Sequence, residues 1–470
     1  MVVKGRRNMP ASNLRFPRFI FILLCLFSWP VQSALSETPA LSVATFQIDA
    51  TPPLGSPLCI GMRPPAVAID DPLSARGIIL LPARQKPIVL VAVDWLGISN
   101  AGHDAWREAV AAAAATTIDR VSVHVLHQHD APGCDFSAYQ IAAEYGLADK
   151  LFDLEFEKQT IARAAAAVKQ AIARPQTVTH IGAGKAKVEK VASTRRCLGP
   201  DGKVKYVRYT SCKDPKIRAY PEGTIDPYTK VVSFFNGDKP IVLLTYYATH
   251  PQSHYGKGHI SADFVGLARS LREEALPGAA HIHFNGAGGN IGAGKYNDGS
   301  PKYRAILAGR LAQGMTAAWE KTERFPIEDA AIQWDTREVA LPPSSRLNEE
   351  SLLATLADEK ESLQEHLRSA RELAWLRRCE SGHTISIGRL RIGRVDILHL
   401  PGELFVEYQL AAQKMRPNSL VCTAAYGDRG MAYIGLASSY TQGGYETGRA
   451  SRVAPAVETV LMKAISELMQ

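Results

Sequence analysis

No stretch of about 20 consecutive apolar residues, the length a bilayer-spanning helix needs, occurs in these 470 residues. No internal repeat is visible, which argues against a repeat architecture, and no Pro/Ser/Gly-rich linker sets off an independent second domain. The glycine-rich stretch Gly286-Ala287-Gly288-Gly289-Asn290 lacks both the G-x-G-x-x-G spacing and the Lys-Ser/Thr of a phosphate loop, so it is no nucleotide site. Cysteine is sparse: there are seven, and Cys197 and Cys212 match no zinc-ribbon spacing, so a cysteine-based metal site is not expected. Charged residues make up 21% and hydrophobic residues 46%, which excludes the disordered and fibrous classes.

Positive charge is also scarcer than it first looks. The formal net charge is +8, but residues 1–33 hold five basic side chains and no acidic one, so the remainder carries +3. A nucleic-acid partner therefore has no electrostatic support. Those first residues have their own pattern. Lys4, Arg6, Arg7, Arg15 and Arg18 precede an apolar run from Phe19 to Val31, and the small residues Ser33 and Ala34 follow. Charged, then apolar, then small is the layout of a secretory signal. The expectation is a leader over residues 1–33, with no stable membrane span once it is cleaved. A single domain over 34–470 would then be exported to the periplasm or the exterior. Six cysteines would remain, and an even count in an exported chain permits disulfides. Cys197 and Cys212, flanking the turn Gly199-Pro200-Asp201-Gly202, are the best candidate pair.

Apolar runs alternate with Ala-rich helical stretches along the rest of the chain. Gly77–Pro82, Pro87–Val93, Val121–Val125, Lys230–Phe235, Pro240–Tyr247 and His281–Phe284 read as strands. So do Thr384–Ile392 and Arg394–Leu400. Helices are expected over 101–117, 151–173, 263–275, 303–320 and 453–469, with a charged helical hairpin over 349–378. Residues 182–227, polar and rich in Gly, Pro and Lys, read as a surface excursion walling a substrate site. The fold class is α/β, a mixed sheet flanked by helices.

Several strands end in polar, Gly-rich sequence: Asp94 to Gly97, His127 to Gly133, Thr249-His250-Pro251 and Asn285 to Asn290. Ligand sites of open α/β sheets form at the carboxyl ends of strands, so this recurrence points to one shared crevice. His127 and His129, two apart, share a face if the strand continues, and two imidazoles on one face can serve one metal ion. Polar strand-end histidines are the alternative. Proline fixes the direction in which His250 projects. Pro401-Gly402-Glu403 puts a carboxylate on a tight turn after the last long apolar run.

Taken in order, these motifs resemble the catalytic domain of the neutral/alkaline ceramidases. Asp49-Ala50-Thr51-Pro52-Pro53 matches the family's opening Asp-x-Thr-x-Pro, and His127 to Gly133 its His-x-His motif. His250-Pro251, Ser261-Ala262-Asp263, Pro401 to Glu403 and a terminal block with Tyr433, Tyr440, Tyr445 and Glu446 follow in the family's order. The resemblance covers roughly residues 44–465. It implies zinc held by His127, His250, Glu403 and Tyr440. It also implies His129 as the catalytic helper and Arg195 near the wall of the acyl site. Two departures matter. Glycine stands at position 288, where the family has a serine, and Asp130-Ala131 replaces Ser-Gly. No C-terminal immunoglobulin-like domain is expected. These departures speak against a serine-dependent mechanism and against ceramide itself.

The resulting expectation is an exported zinc hydrolase, a sphingolipid-type amidase in outline, that opens the amide of a small or lipid-like acyl substrate with activated water. His129 would move the proton. Tyr440 or the backbone amides of the glycine run, with Gly288 and Asn290 at the substrate, would hold the oxyanion. Asp94 and Asp263 would orient ligand histidines. A same-fold hydrolase acting on another amide or ester, such as a sugar derivative, and a metal-dependent binding protein without turnover are the alternatives.

Overall fold

The strand Ile88–Val93 shows how the sequence builds the molecule. All six of its residues are apolar and all are buried. Val89, Val91 and Val93 point into one hydrophobic core, and Ile88, Leu90 and Ala92 into a second. A sheet covered on both faces needs such an unbroken apolar run. The computed structural model describes residues 15, 40–328 and 331–470. Apart from Arg15, the proposed leader, with Cys25, lies outside them.

Three main sheets, each mixed, make up the unit from Pro39 to Gln470. The first runs, in spatial order, Val121–Val125, Ile88–Val93, Ser74–Pro82, Leu41–Asp49 and Gln176–Val178. The second runs Ala280–Asn285, Lys239–Tyr247, Tyr228–Asn236, His180–Lys187 and Glu323–Pro326. The third runs Ile332–Val339, Ile385–Ile392, Val395–His399 and Leu420–Ala424. Each sheet has one parallel pair at one edge, and that pair carries the site: 88–93 with 121–125, 239–247 with 280–285, and 395–399 with 420–424.

The carboxyl ends of these pairs are laced together. The Val125 amide donates to the Tyr426 carbonyl (3.0 Å), and the Ala425 amide donates to the Asn285 carbonyl (2.9 Å). The Asn285 side-chain amide donates to the Leu126 carbonyl (2.6 Å). Each bond joins the end of one sheet to another, so the loops that follow open onto a common floor.

Helices cover the outer faces. Leu154–Ile172 starts on Asp153, whose carboxylate accepts from the Phe156 amide (3.0 Å). The expected helical hairpin is present as Glu349–Ala357 and Leu363–Glu380; the second helix is capped by Ser362 and ends on Arg377 and Arg378, as its dipole favours. No helix among the described residues is long and apolar enough to cross a membrane.

Two expectations need correction. Residues 182–187 belong to an interior strand, His180–Lys187, paired on both sides; the excursion begins only after it. The six described cysteines are all free thiols, so Cys197 and Cys212 are not bonded. Cys197 is buried in the hairpin of 196–198 with 204–207, while Cys212 turns its sulfur toward the Asp214 carbonyl.

Candidate metal centre

The loops leaving the three parallel pairs bring His127, His250 and Glu403 together, all of them buried. Glu403 Oε2 lies 3.2 Å from His127 Nε2 and 3.2 Å from His250 Nε2. The far nitrogens are already committed. His127 Nδ1 donates to the Leu96 carbonyl (2.6 Å), and His250 Nδ1 donates to the carbonyls of Gly288 (2.7 Å) and Ile291 (3.0 Å). A carbonyl can only accept, so each Nδ1 keeps the ring proton and each Nε2 turns a lone pair inward. Burial pushes His250 down to about 4, with the Arg195 charge adding to the effect. Burial alone would raise Glu403, but the Arg429 guanidinium holds its carboxyl well below the usual range. Arg429 binds the other oxygen, Oε1, which leaves Oε2 facing the histidines. Two imidazole lone pairs and a carboxylate oxygen converging this closely repel one another unless a cation stands among them. The donor set and its outer hydrogen bonds fit a divalent metal such as zinc.

Other groups complete the surroundings. Tyr433 Oη is 3.1 Å from His250 Nε2, and Arg195 Nη1 donates to that hydroxyl (3.1 Å) while standing 3.2 Å from the same nitrogen. Arg195 lies among the rings of Tyr209, Tyr433 and Tyr445 and is held at the back by Glu446 (3.4 Å). Tyr426 stacks on His127 with ring centroids 5.0 Å apart. His129 Nε2 is 3.4 Å from His127 Nε2, its Nδ1 has no protein partner, and Tyr255 packs against the ring.

The architecture can be placed among known structures. It matches a ceramidase complexed with C2 with a TM-score of 0.68 at 16% identity, covering 92% of this chain and 75% of that one. It matches the neutral ceramidase of Pseudomonas aeruginosa with a TM-score of 0.67 at 17% identity, covering 92% and 74%. The chain has the neutral ceramidase fold. No family model and no curated protein sequence matches it significantly. At this identity the likeness is one of fold, and the resemblance read from the motif order is borne out at that level.

Within the neutral ceramidase fold, several expected residues take other places. His127 and His129 do not sit on a continuing strand. The strand ends at Val125 and His127 turns into the left-handed region (φ 65°), so a bend brings the two rings together. The tyrosine at the cluster is Tyr433, not Tyr440, whose hydroxyl is bonded to Ser451 Oγ (3.1 Å). Asp94 and Asp263 orient no ligand histidine; backbone carbonyls do that. Asp94 instead pairs with Arg269 (2.7 and 2.9 Å) and takes a bond from Gln128, between the two histidines. Asp263 accepts from Ser253, three residues beyond His250, and burial raises its carboxyl to about 6.

The glycine run is a clamp more than a donor surface. The amides of Gly286, Ala287 and Gly289 donate to Tyr247, Gln409 and Leu404. A Cβ on Gly289 would stand 2.2 Å from the Glu403 carbonyl oxygen, and one on Gly288 would stand 2.8 Å from the Thr249 carbonyl carbon. Glycine is needed there to bring the His250 and Glu403 loops into contact. Asn290 spends its side chain on Glu407 and on the Val406 amide, tying the same loops. Arg429, Tyr433 and Tyr445 were not assigned roles from the sequence. Arg429 and Tyr433 follow the apolar strand 420–424, and that strand-end signal points to them.

Proposed function

We propose that the chain is a zinc-dependent hydrolase that opens the amide of an N-acyl compound with water. The convergence of two Nε2 lone pairs and Glu403 Oε2, with both Nδ1 atoms locked to carbonyls, carries this reading. His127, His250 and Glu403 would hold the zinc, with the Tyr433 hydroxyl beside it, and the bound ion would supply a water acidified to about 7, a nucleophile at neutral pH. His129, 3.4 Å from His127 Nε2, would take the proton of the attacking water and return it to the leaving nitrogen as the C–N bond breaks. Arg195 and the Tyr433 hydroxyl, both beside His250, would stabilise the charge that develops on the acyl oxygen. No serine is needed. Turnover of matched acyl amides and esters by metal-stripped and zinc-reloaded protein tests the reading, and equal rates in the two preparations would end it.

Export of a single domain beginning near Ala34 belongs to the same reading and rests on the N-terminal sequence. N-terminal sequencing of protein from its host decides it, and an intact Met1 on cytosolic protein would overturn it.

A further inference from the structure

Beside the candidate metal centre lies a cavity of about 240 Å³ that shares Arg429, Tyr433 and Tyr445 with it. Arg368, Arg371, Arg449 and Arg452 also line it, with Glu372 the one acidic side chain among its lining residues. The nearby carboxylates pair with other arginines: Glu365 with Arg368 (2.8 Å) and Arg449, Glu372 with Arg346 (3.0 Å), and Glu403 with Arg429; Glu372 and Asp135 act on Arg452 only through space.

Arg371 and Arg452 remain, exposed by only 5% and 6%. Arg371 donates to the Leu367 carbonyl (3.0 Å) and reaches the Met62 sulfur (3.5 Å); Arg452 donates to the Gly430 carbonyl (2.6 Å). Among the described residues neither is paired with a carboxylate. Burial, and then the charge of the neighbouring arginines, pushes Arg371 down to about 9. Buried guanidinium groups are ordinarily paired, because an unanswered charge out of water is costly. Two of them side by side, facing a cavity, make a site that an anion from outside completes. Guanidinium suits a carboxylate or phosphate, which it can hold through two parallel hydrogen bonds.

We propose that this pocket recognises an anionic group, a carboxylate or a phosphate, on the substrate of the adjoining centre. Because Tyr433 lines the cavity and also touches His250, the charged group sits close to the acyl bond that is cleaved. This rests on the hydrolase reading above and narrows it: an uncharged N-acyl amide leaves Arg371 and Arg452 unanswered, and an acylated amino acid or aminoalkyl phosphate does not.

Two arms separate this proposal from the hydrolase reading. In the first, inorganic phosphate and N-acetylglycine are titrated calorimetrically into metal-stripped wild type, Arg371→Gln, Arg371→Lys and Arg368→Gln. Wild type should bind at least one probe. Arg371→Gln should weaken binding about ten- to a hundredfold, as loss of a hydrogen bond to a charged group does, and Arg371→Lys should recover part of it. Arg368→Gln, on the half-exposed rim, should weaken it less and covers the case in which Arg371→Gln does not fold. In the second arm, zinc-loaded protein is offered N-lauroylglycine, N-lauroyl phosphoethanolamine and the neutral N-lauroylethanolamine. An anionic amide should be preferred about ten- to a hundredfold in kcat/KM, mainly through KM, with phosphate and carboxylate told apart by which leads. Binding without turnover of any amide leaves the pocket standing and the hydrolase reading fallen. Absence of binding, binding unchanged in the arginine variants, or preference for the neutral amide overturns the pocket.

Discussion

Two pairs of buried histidines lie at the ends of the parallel strands and differ in what their inner nitrogens meet. His127 and His250 turn both Nε2 atoms toward one carboxylate oxygen. His124, three residues before His127, donates from Nδ1 to the Ala425 carbonyl (2.8 Å), and its Nε2 takes the Nδ1 proton of His399 (3.0 Å), four residues before Glu403. Burial pushes His124 down to about 3 and His399 well below its ordinary value, so both are neutral. There the lone pair of one ring is consumed by the proton of the other, and no carboxylate faces them. Close imidazoles therefore do not make a metal centre. Convergent acceptors with their outer nitrogens already satisfied do.

The comparison is broken most directly by removing a ligand. His127→Ala and Glu403→Gln should each lose bound zinc by more than about 100-fold in affinity, beyond the range seen for outer partners, and lose turnover with it. Metal analysis after dialysis reads the first effect. Zinc at full occupancy in both variants would show that the convergent acceptors hold no metal. Next in size is His129→Ala, which should keep its zinc and lose about 10²–10⁴ in kcat. Normal turnover with zinc in place would make His129 structural.

The strand ends were legible because period and punctuation agree: apolar runs closed by His, Asp, Gly and Pro mark the floor of the crevice. The helices at 263–275 and 302–320 and the hairpin at 349–380 follow from the same patterning. What could not be read is what folding decides across sheets. Tyr433 and Tyr440 stand in one motif block, and only the path of the loop after Leu420–Ala424 sends the first to His250 and the second to Ser451. Asp94 looks like a histidine partner in sequence because it precedes the crevice. In space Arg269, from a helix 175 positions away, claims it. Residues 182–187 looked like loop because Gly and Lys are poor strand formers. Pairing with 228–233 along their whole length, and with 323–324 at residues 182 and 183, overrides that preference.

Asp94→Asn comes third. It would leave Arg269 buried without its carboxylate, a loss of about 3–5 kcal/mol, read as a lower urea midpoint at pH 7. Burial alone would raise Asp94, but the Arg269 guanidinium more than offsets it and holds the carboxyl below 3.8. A folded value below the unfolded one gives stability that is present above about pH 4 and is lost as the pH falls through the folded value. Wild type should therefore lose midpoint faster than Asp94→Asn on acidification below pH 4. Parallel acid profiles would show that the pair contributes no linkage. Gly288→Ser is smaller, about 1–3 kcal/mol of overpacking against the Thr249 backbone. Thermal melting should show it, with no gain in turnover; a faster enzyme would restore a role for serine.

The smallest effect is expected at the second histidine pair, and it bears most closely on the comparison. His399 Nε2 has no protein partner, and Nδ1 has only His124. Replacing His399 by Gln forfeits that one bond, about 0.5–1.5 kcal/mol, and removes no atom that faces the metal centre. Because His399 lies on the strand leading to Glu403, a shift of that strand is the one route by which the change reaches the metal. His124→Gln, on the strand leading to His127, probes the other side of the same bond. Both variants should keep full zinc content and turn over within about twofold of wild type, with a melting temperature only slightly lower. Loss of zinc in His399→Gln alone would mean that the strand positions Glu403 through this bond. Loss in both would mean that the two histidine pairs form one functional unit, and the distinction drawn from their lone pairs would fall.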